Sequence, residues 1–229
     1  MKEINKDLGY KTLTECVMDY LKNQLNRGGV KPGNEINLNA LSETLGISKT
    51  PIREALIQLV KDGFIETTSR RAFRIKRLSL KDIKDIYQVI GLLEAESSKT
   101  AVDKITSEEI KKLEELYEGM KKSLEIDDFE TYLDLNFKSH LIIANFCDNQ
   151  ILVDIVGKLK ERLYEFPRIL INLPDWEKNM MDDHLQMITY LKKKAKKELA
   201  DLIQNVHWNY SRNYPFLTKY YDLNIDESK

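Results

Sequence analysis

The chain of 229 residues has only two cysteines, five prolines and no long apolar run. Cys16 and Cys147 lie far apart and form no CxxC pair, so we expect two reduced thiols and no disulfide. No apolar stretch approaches the roughly 18 residues that a membrane-spanning helix requires. The amino-terminal sequence MKEINKDLGYK lacks the apolar core of a secretory signal. These absences predict a cytoplasmic protein that does not span a membrane.

The sequence also lacks the short motifs of the common enzyme classes. It contains no GxSxG elbow, no P-loop, no HExxH motif and no GxGxxG loop. The acidic pairs Asp127-Asp128 and Asp182-Asp183 are adjacent in sequence, so their side chains leave a helix in different directions. We expect them to be N-cap and first-turn charges rather than catalytic pairs. The pattern favours a protein that is not an enzyme.

Charge is distributed unevenly along the chain. Residues 1–77 carry a net charge of +5 and residues 78–229 a net charge of −6, although the whole chain is nearly neutral at −1. A basic first part and an acidic second part suggest different partners for the two. Solvated helix faces would produce the same imbalance, so charge alone leaves both interpretations open.

The sequence of residues 1–77 predicts three helices followed by a β-hairpin. Apolar residues recur there with a helical period, and Gly or Pro residues mark the ends of the segments. The predicted helices are 14–26, 39–45 (capped by Asn39 and closed by Gly46) and 49–61 (capped by Ser48 or Thr50 and stopped by Asp62-Gly63). The hairpin is predicted over residues 64–75, where β-branched and aromatic residues surround a polar centre.

From Leu80 onward the pattern is helical throughout. Six segments favour helix, near residues 80–102, 107–126, 128–147, 149–171, 175–194 and 197–215. Thr106 and Glu109 have the spacing of a capping box. Successive helices without strands predict an all-α antiparallel bundle. We therefore predict a mostly α protein with two domains, residues 1–77 and residues 78–229.

The second and third helices are joined by Gly46-Ile47-Ser48, which has the length and composition of a helix-turn-helix. One stripe of the third helix faces the core and consists of Ile52, Ala55, Leu56 and Leu59. Thr50 and Arg53 project from another side, and Lys49 lies in the first turn of the helix. In this motif the amino-terminal residues of the second helix enter the DNA major groove, where such side chains contact phosphates or base edges.

The predicted hairpin adds further positive charge. Arg70, Arg71 and Arg74 are expected near its tip, where they suit an adjacent groove or phosphate. A small helical domain with solvated basic residues would show the same pattern, so the residues alone leave DNA binding open.

The run from Ser48 to Leu56, SKTPIREAL, matches the serine, basic, threonine, proline, hydrophobic, arginine, glutamate, alanine, leucine pattern of one known family. Residues 10–77 resemble the winged-helix DNA reader of GntR-type transcription regulators. The resemblance implies DNA contacts from the second and third helices and from the wing: Asn39, Ser48, Lys49, Thr50, Arg53, Ser69, Arg70 and Arg71. The family often has glycine at the wing tip, where this chain has SRRA.

All three histidines lie in the helical part, at His140, His184 and His207. Asn136 precedes His140 by one turn and shares its helix face. Histidines on separate helices of a bundle can converge on one point, where neutral imidazole binds zinc, nickel or a similar ion. Scattered histidines are also common as surface or satisfied core residues, so both interpretations stay open on the residues alone.

The spacing of Asn136, His140 and Asn149, with DDH ending at His184 and His207 on the final helix, is similar to the FCD effector domain of the FadR subgroup of GntR regulators. The resemblance implies a divalent ion, zinc or nickel, held by Asn136, His140, His184 and His207. Open positions on an ion with neutral ligands would attract a carboxylate, and small organic acids are common effectors of the family.

Two positions depart from the family pattern. Ile90 stands where an arginine often lies four residues before the glutamate at Glu94, and Ser139 replaces the phenylalanine that usually precedes the first histidine. Without that arginine the site loses a bidentate carboxylate clamp. We take Arg162, Arg168 and Tyr87 as candidate effector-binding residues.

These features together predict a transcription regulator, a repressor controlled by a small organic acid. The resemblance implies a homodimer on a near-palindromic double-stranded operator. Two alternatives remain, a metal-free acyl-coenzyme A sensor of the same family and a metal-dependent helical-bundle enzyme. The filled histidine positions argue against the first, and the missing catalytic motifs argue against the second.

Overall fold

A computed structural model of the chain describes residues 11–26, 30, 33–68, 72–164 and 174–220. The helices in these residues are α1 (Leu13–Asn26), α2 (Leu38–Leu45), α3 (Lys49–Lys61), α4 (Leu80–Lys104), α5 (Ser107–Glu125), α6 (Phe129–Ala144), α7 (Gln150–Tyr164), α8 (Pro174–Lys192), α9 (Lys196–Asp201), a π-helical segment (Leu202–His207) and α10 (Tyr210–Tyr220). The strands are β1 (Ile65–Thr67) and β2 (Phe73–Ile75). The predicted mostly α fold, with three helices and a hairpin before a helical bundle, is confirmed.

The chain divides into two compact units. The first comprises Met1–Ser79 with Lys160–Arg168, and the second comprises Leu80–Leu159 with Ile169–Lys229. Among the described residues, no helix combines the length and the apolar character needed to cross a bilayer.

The helix-turn-helix of the first unit is built from α2 and α3. Asn37, rather than the predicted Asn39, caps α2: its side chain accepts hydrogen bonds from the backbone N–H groups of Asn39 at 2.9 Å and Ala40 at 3.2 Å. The cap lies earlier because Leu38 already belongs to the helix. Gly46 ends α2 with φ of 67°, a left-handed conformation that glycine adopts without steric cost.

The bounds of α3 agree with the prediction. The apolar stripe is fully buried, at Ile52, Ala55, Leu56 and Leu59, and Gly63 takes φ of 83° just beyond the helix end. Ser48 occupies the N-cap position with an extended backbone, but its side chain makes no capping hydrogen bond. The stripe therefore anchors α3 and leaves its opposite face exposed.

The strands β1 and β2 form an antiparallel pair with Ile65 opposite Ile75. The prediction that Arg74 lies near the hairpin tip is wrong, because Arg74 lies in the middle of β2. Its Nη2 lies 3.1 Å from Oε1 of Glu35, and Glu35 also forms an isolated bridge with Arg74 through the backbone. Arg74 thus takes part in the small sheet.

In the second unit, α4 packs against α6, α9, the π-helical segment and α10, and α5 packs against α6 and α8. The predicted capping box of α5 is confirmed: Glu109 accepts from the N–H of Thr106 at 2.8 Å, and the Thr106 side chain accepts from the N–H of Glu109. Gly91 permits the close approach of α4 to the end of the π-helical segment, since a Cβ at this position would lie 3.0 Å from Cβ of Trp208.

The single final helix predicted over residues 197–215 is wrong. Instead α9 widens into the π-helical segment, where the N–H of Trp208 donates to the carbonyl of Ile203 at 3.0 Å, five residues back. A new helix then begins, and Asn209 caps it by accepting from the N–H of Arg212 at 2.9 Å. A π-helical turn accommodates an extra residue and is frequent at functional sites; here it ends on His207.

Candidate metal centre and nucleic-acid interface

Three histidines from three elements meet inside the second unit. His140 lies on α6, His184 on α8 and His207 at the end of the π-helical segment, and each is at most 5% exposed. Their ring centroids lie 5.0–5.3 Å apart. One nitrogen from each ring can be chosen so that all three lie within 4.8 Å of one another. This spacing fits a single divalent ion bound by imidazole nitrogens.

Asn136 lies one turn before His140 on the same face of α6 and is the candidate for a fourth donor. Its side chain is buried, and among the described residues its Oδ1 has no hydrogen-bond partner. Burying an oxygen without a hydrogen-bond donor is unfavourable, unless another group such as a metal ion binds that oxygen. Three imidazoles and one amide oxygen are a donor set suited to a divalent transition ion, so the residues present fit the ion that the sequence implied.

A carboxylate orients His207. Nδ1 of this ring lies 3.2 Å from Oδ2 of Asp183, so a proton on Nδ1 leaves Nε2 as the ligand atom. Arg212 holds the same carboxylate from the other side, with Nη1 2.5 Å from Oδ2 and Nη2 3.1 Å from Oδ1. Burial alone would raise the pKa of Asp183, but the hydrogen bonds with His207 and Arg212 outweigh it and hold the pKa below its usual value.

The expectation that Asp182 and Asp183 are first-turn charges is therefore wrong. Helix α8 begins at Pro174, so both residues lie in its middle, and Asp183 is only 2% exposed. The expectation holds for Asp128, which is the N-cap of α6 and accepts from the N–H of Thr131 at 3.0 Å.

A second carboxylate orients His140. Oε2 of Glu94 lies 3.3 Å from Nδ1 of His140 and accepts from Nε1 of Trp208 at 2.7 Å. The Trp208 ring also contacts His140 and His207, at centroid distances of 6.0 Å and 5.4 Å. Sequence reasoning assigned no role to Glu94. Its place on the apolar stripe of α4, four residues after the buried Ile90, is the signal that predicts burial.

A small cavity of about 10 Å³ lies beside His184, with room for about one water molecule. His184 and Ser139 form its polar part. Its remaining lining is apolar or aromatic: Leu113, Tyr117, Met120, Ile143, Met187, Ile188 and Leu191. None of these lining residues carries a charge.

Neither of the two described candidate effector-binding residues, Arg162 and Tyr87, lines this cavity. The guanidinium of Arg162, in the first unit, packs against Gly63, 3.2 Å from where a Cβ would stand. Tyr87 is buried edge-to-face against Trp208, with ring centroids 5.0 Å apart, and is not part of the cavity lining. Arg168 lies outside the described residues.

The candidate nucleic-acid interface is the outward side of α2 and α3. Asn39, Ser48, Lys49, Thr50 and Arg53 are all exposed. The wing-tip residues Ser69, Arg70 and Arg71 lie outside the described residues. Because the buried stripe anchors α3 in the core, these side chains of α3 point toward solvent.

Comparison with known proteins finds matches to both parts of the chain. Residues 13–75 match the family model "Bacterial regulatory proteins, gntR family", and residues 85–207 match the FCD domain. An uncharacterized HTH-type transcriptional regulator of Bacillus subtilis, YdhC, is 31% identical over 83% of this chain and 85% of its own length. The HTH-type transcriptional regulator McbR of Escherichia coli is 29% identical over 84% of this chain and 90% of its own.

Solved structures show the same fold. E. coli McbR/YncC aligns with a TM-score of 0.68 at 26% identity, covering 89% of this chain and 99% of that one. A GntR-type putative regulator from Rhodococcus aligns with a TM-score of 0.71 at 12% identity, covering 90% of this chain and 98% of that one.

Proposed function

The chain belongs to the GntR family of DNA-binding transcription regulators and carries an FCD domain, and from this premise we propose that it is a repressor released by a small carboxylate bound at a metal centre. The family assignment supports a regulator and not an enzyme. In the proposal, residues 1–77 form the DNA-binding domain, and residues 78–229 form the effector-binding and dimerisation domain.

DNA recognition is proposed to centre on the amino end of α3. Lys49, Thr50 and Arg53 are all exposed, and Thr50 and Arg53 lie on the helix face away from the buried stripe. With this end in the major groove, Arg53 reaches guanine O6 and N7, and Thr50 and Lys49 reach bases or phosphates. Asn39 and Ser48 would add backbone contacts, as would the wing-tip residues Ser69, Arg70 and Arg71.

The metal proposal rests on one observation, the convergence of three buried histidines beside the unsatisfied Oδ1 of Asn136. His140, His184, His207 and Asn136 would hold the ion, zinc or nickel. Glu94 and Asp183 would keep two of the imidazoles in the orientation that presents Nε2. Such an ion supplies positive charge that attracts an effector carboxylate.

The charges around the centre favour an effector with one carboxylate. The two positive charges of a divalent ion would stand among the carboxylates of Glu94 and Asp183, and Arg212 adds one more positive charge. A single effector carboxylate balances this group. A second would find no cation among the residues that line the cavity beside His184, and burying an unpaired charge is costly.

Effector binding would lower operator affinity because the two ligands favour different states of one protein. A homodimer would read two half-sites related by its own twofold axis. The test is fluorescence anisotropy with an operator selected from a random duplex pool. Metal-loaded protein should bind it selectively and release it when a short monocarboxylate is added, and chelated protein should not respond to the acid. Release by the acid after chelation would exclude the ion from the response.

A further inference from the structure

One aliphatic side chain interrupts the polar face of α3. Ile57 is 46% exposed, and Thr50 and Arg53 precede it by seven and four residues, so the three side chains share one helix face. Lys61 continues the same face one turn later and is exposed. The buried stripe lies on the opposite side. Ile57 therefore stands in the middle of the surface proposed to meet DNA.

Neither the core nor α1 accounts for this side chain. The core of α3 is completed by Ile52, Ala55, Leu56 and Leu59, all 0% exposed. Helix α1 meets α3 near Glu54, which accepts a hydrogen bond from Thr14 of α1 at 3.1 Å. This contact between α1 and α3 is polar and does not involve Ile57. Single exposed aliphatic residues are common, but Ile57 shares its helix face with Thr50 and Arg53, the two residues proposed to contact DNA.

The dimensions of the groove bring Ile57 within reach of the bases. The rise from Lys49 to Ile57 is about 12 Å at 1.5 Å per residue, and the major groove is also about 12 Å wide. A helix that enters with its amino end thus keeps Ile57 inside the groove or at its wall. An alkyl side chain makes no hydrogen bond there. Among the major-groove edges of the four bases, only thymine presents an apolar group, its C5-methyl.

We propose that Ile57 is a specificity-determining residue that packs against the C5-methyl of a thymine in each operator half-site. The inference rests on the proposed placement of α3 in the major groove. The Ile57 contact disfavours cytosine at that position because cytosine carries no methyl group and would leave the side chain against a polar edge.

The test is a double-mutant cycle between the Ile57 side chain and the thymine methyl. An operator is selected with the wild-type protein, and each thymine is replaced in turn by uracil, which lacks only the methyl group. We expect one position in each half-site at which the replacement weakens wild-type binding about fourfold, the effect of burying one methyl group. Ile57→Ser should weaken binding to the thymine operator by at least as much, and should not distinguish thymine from uracil at that position.

Two further variants control the experiment. Ile57→Val keeps a branched alkyl group and should retain the discrimination. Ile155→Ser replaces a similarly exposed residue, 42% exposed on α7, and should bind both operators as the wild type does. Melting temperatures establish that the variants fold.

Two results would overturn the inference. One is an operator without a thymine sensitive to loss of its methyl, and the other is a thymine preference that persists in Ile57→Ser. If Lys49→Ala and Arg53→Ala also leave operator binding unchanged, the placement of α3 fails as well. If those two variants weaken binding while the uracil series is flat, only the Ile57 contact is refuted.

Discussion

Nδ1 of His207 lies 3.2 Å from Oδ2 of Asp183, and the same carboxylate is held by the guanidinium of Arg212. This chain of contacts runs from α10 through α8 to the π-helical segment. It fixes which ring nitrogen of this buried imidazole faces Asp183 and which remains for a ligand. The geometry of the histidine cluster therefore depends on residues that do not belong to it.

Replacing Asp183 with asparagine should weaken metal binding about 10- to 100-fold, the usual effect of removing a carboxylate that orients a ligating histidine. Competition against a chromophoric chelator measures the affinity. Asp182→Asn is the matched control, since Asp182 is the adjacent residue but is exposed, and it should bind metal as the parent does. Equal affinities for the two variants would contradict the role of Asp183.

His184→Ala should abolish most metal binding, because it removes one of the three imidazole ligands. Elemental analysis of purified protein gives the metal content. Added ion at a hundredfold excess over its Kd should stabilise the parent by about 2.7 kcal/mol, seen as a higher melting temperature, and should leave the variant unchanged. Leu185→Ala, at the exposed next position, is the control. Equal metal in variant and parent would rule out the site.

The salt dependence of operator binding should distinguish base contacts from phosphate contacts on α3. Arg53→Ala should cost about 1–3 kcal/mol at the base pair it reads and relax specificity there. Lys49→Ala should reduce the slope of log K against log salt by about 1 if Lys49 contacts a phosphate. Anisotropy titrations at several salt concentrations measure both effects. Lys193→Ala, an exposed residue of the second unit, should change neither, and a parent protein without salt dependence would argue against DNA contact by these residues.

The metal-loaded protein should prefer short monocarboxylates to dicarboxylates of similar length, because the cavity beside His184 has an uncharged lining. Calorimetric titration of both acids into loaded and chelated protein measures the preference. Met187→Ala removes a side chain that lines this one-water cavity, and the added space should strengthen binding of an acid with a short alkyl tail. Tighter binding of dicarboxylates would show that a cation reaches the effector.

Two glycines should respond to alanine with opposite signs. Gly46→Ala should lower the free energy of unfolding by about 1–2 kcal/mol, because φ is 67° and a side chain there is strained although nothing lies within 4 Å. Gly157→Ala, inside α7 and equally open, should raise it by about 0.5–1 kcal/mol through helix propensity. Urea titration monitored by circular dichroism measures both changes. A loss of stability in both variants would indicate that packing, not backbone conformation, limits these positions.

Local rules predicted many of the element boundaries. The extent of α3 follows from the apolar period between Ile52 and Leu59 and from Asp62-Gly63 after it, and the capping box at Thr106 needs only residues within one turn. The sequence also pointed to the residues of the candidate site, since all three histidines and Asn136 could be named from spacing and family resemblance.

The residues that orient the site were not predictable in the same way. The spacing of apolar residues along the sequence shows which residues share a helix face, but it does not show which neighbouring helix packs against that face. The sequence therefore predicts an N-cap or first-turn charge at Asp183, whereas in the structure α8 turns this side chain toward His207 and Arg212. The π-helical turn before Trp208 was not predicted either, because the apolar spacing of the sequence carries no signal for an extra residue within a helix.

The sequence by itself determined the helical pattern, the helix-turn-helix and the identity of the donor side chains, because caps, periods and motifs act over a few residues. Only the tertiary structure decided that His140, His184 and His207 face one another, and that Glu94 and Asp183 stand behind two of them. Those relations depend on how helices rotate and approach in the bundle, and that is set by packing among residues far apart in the chain.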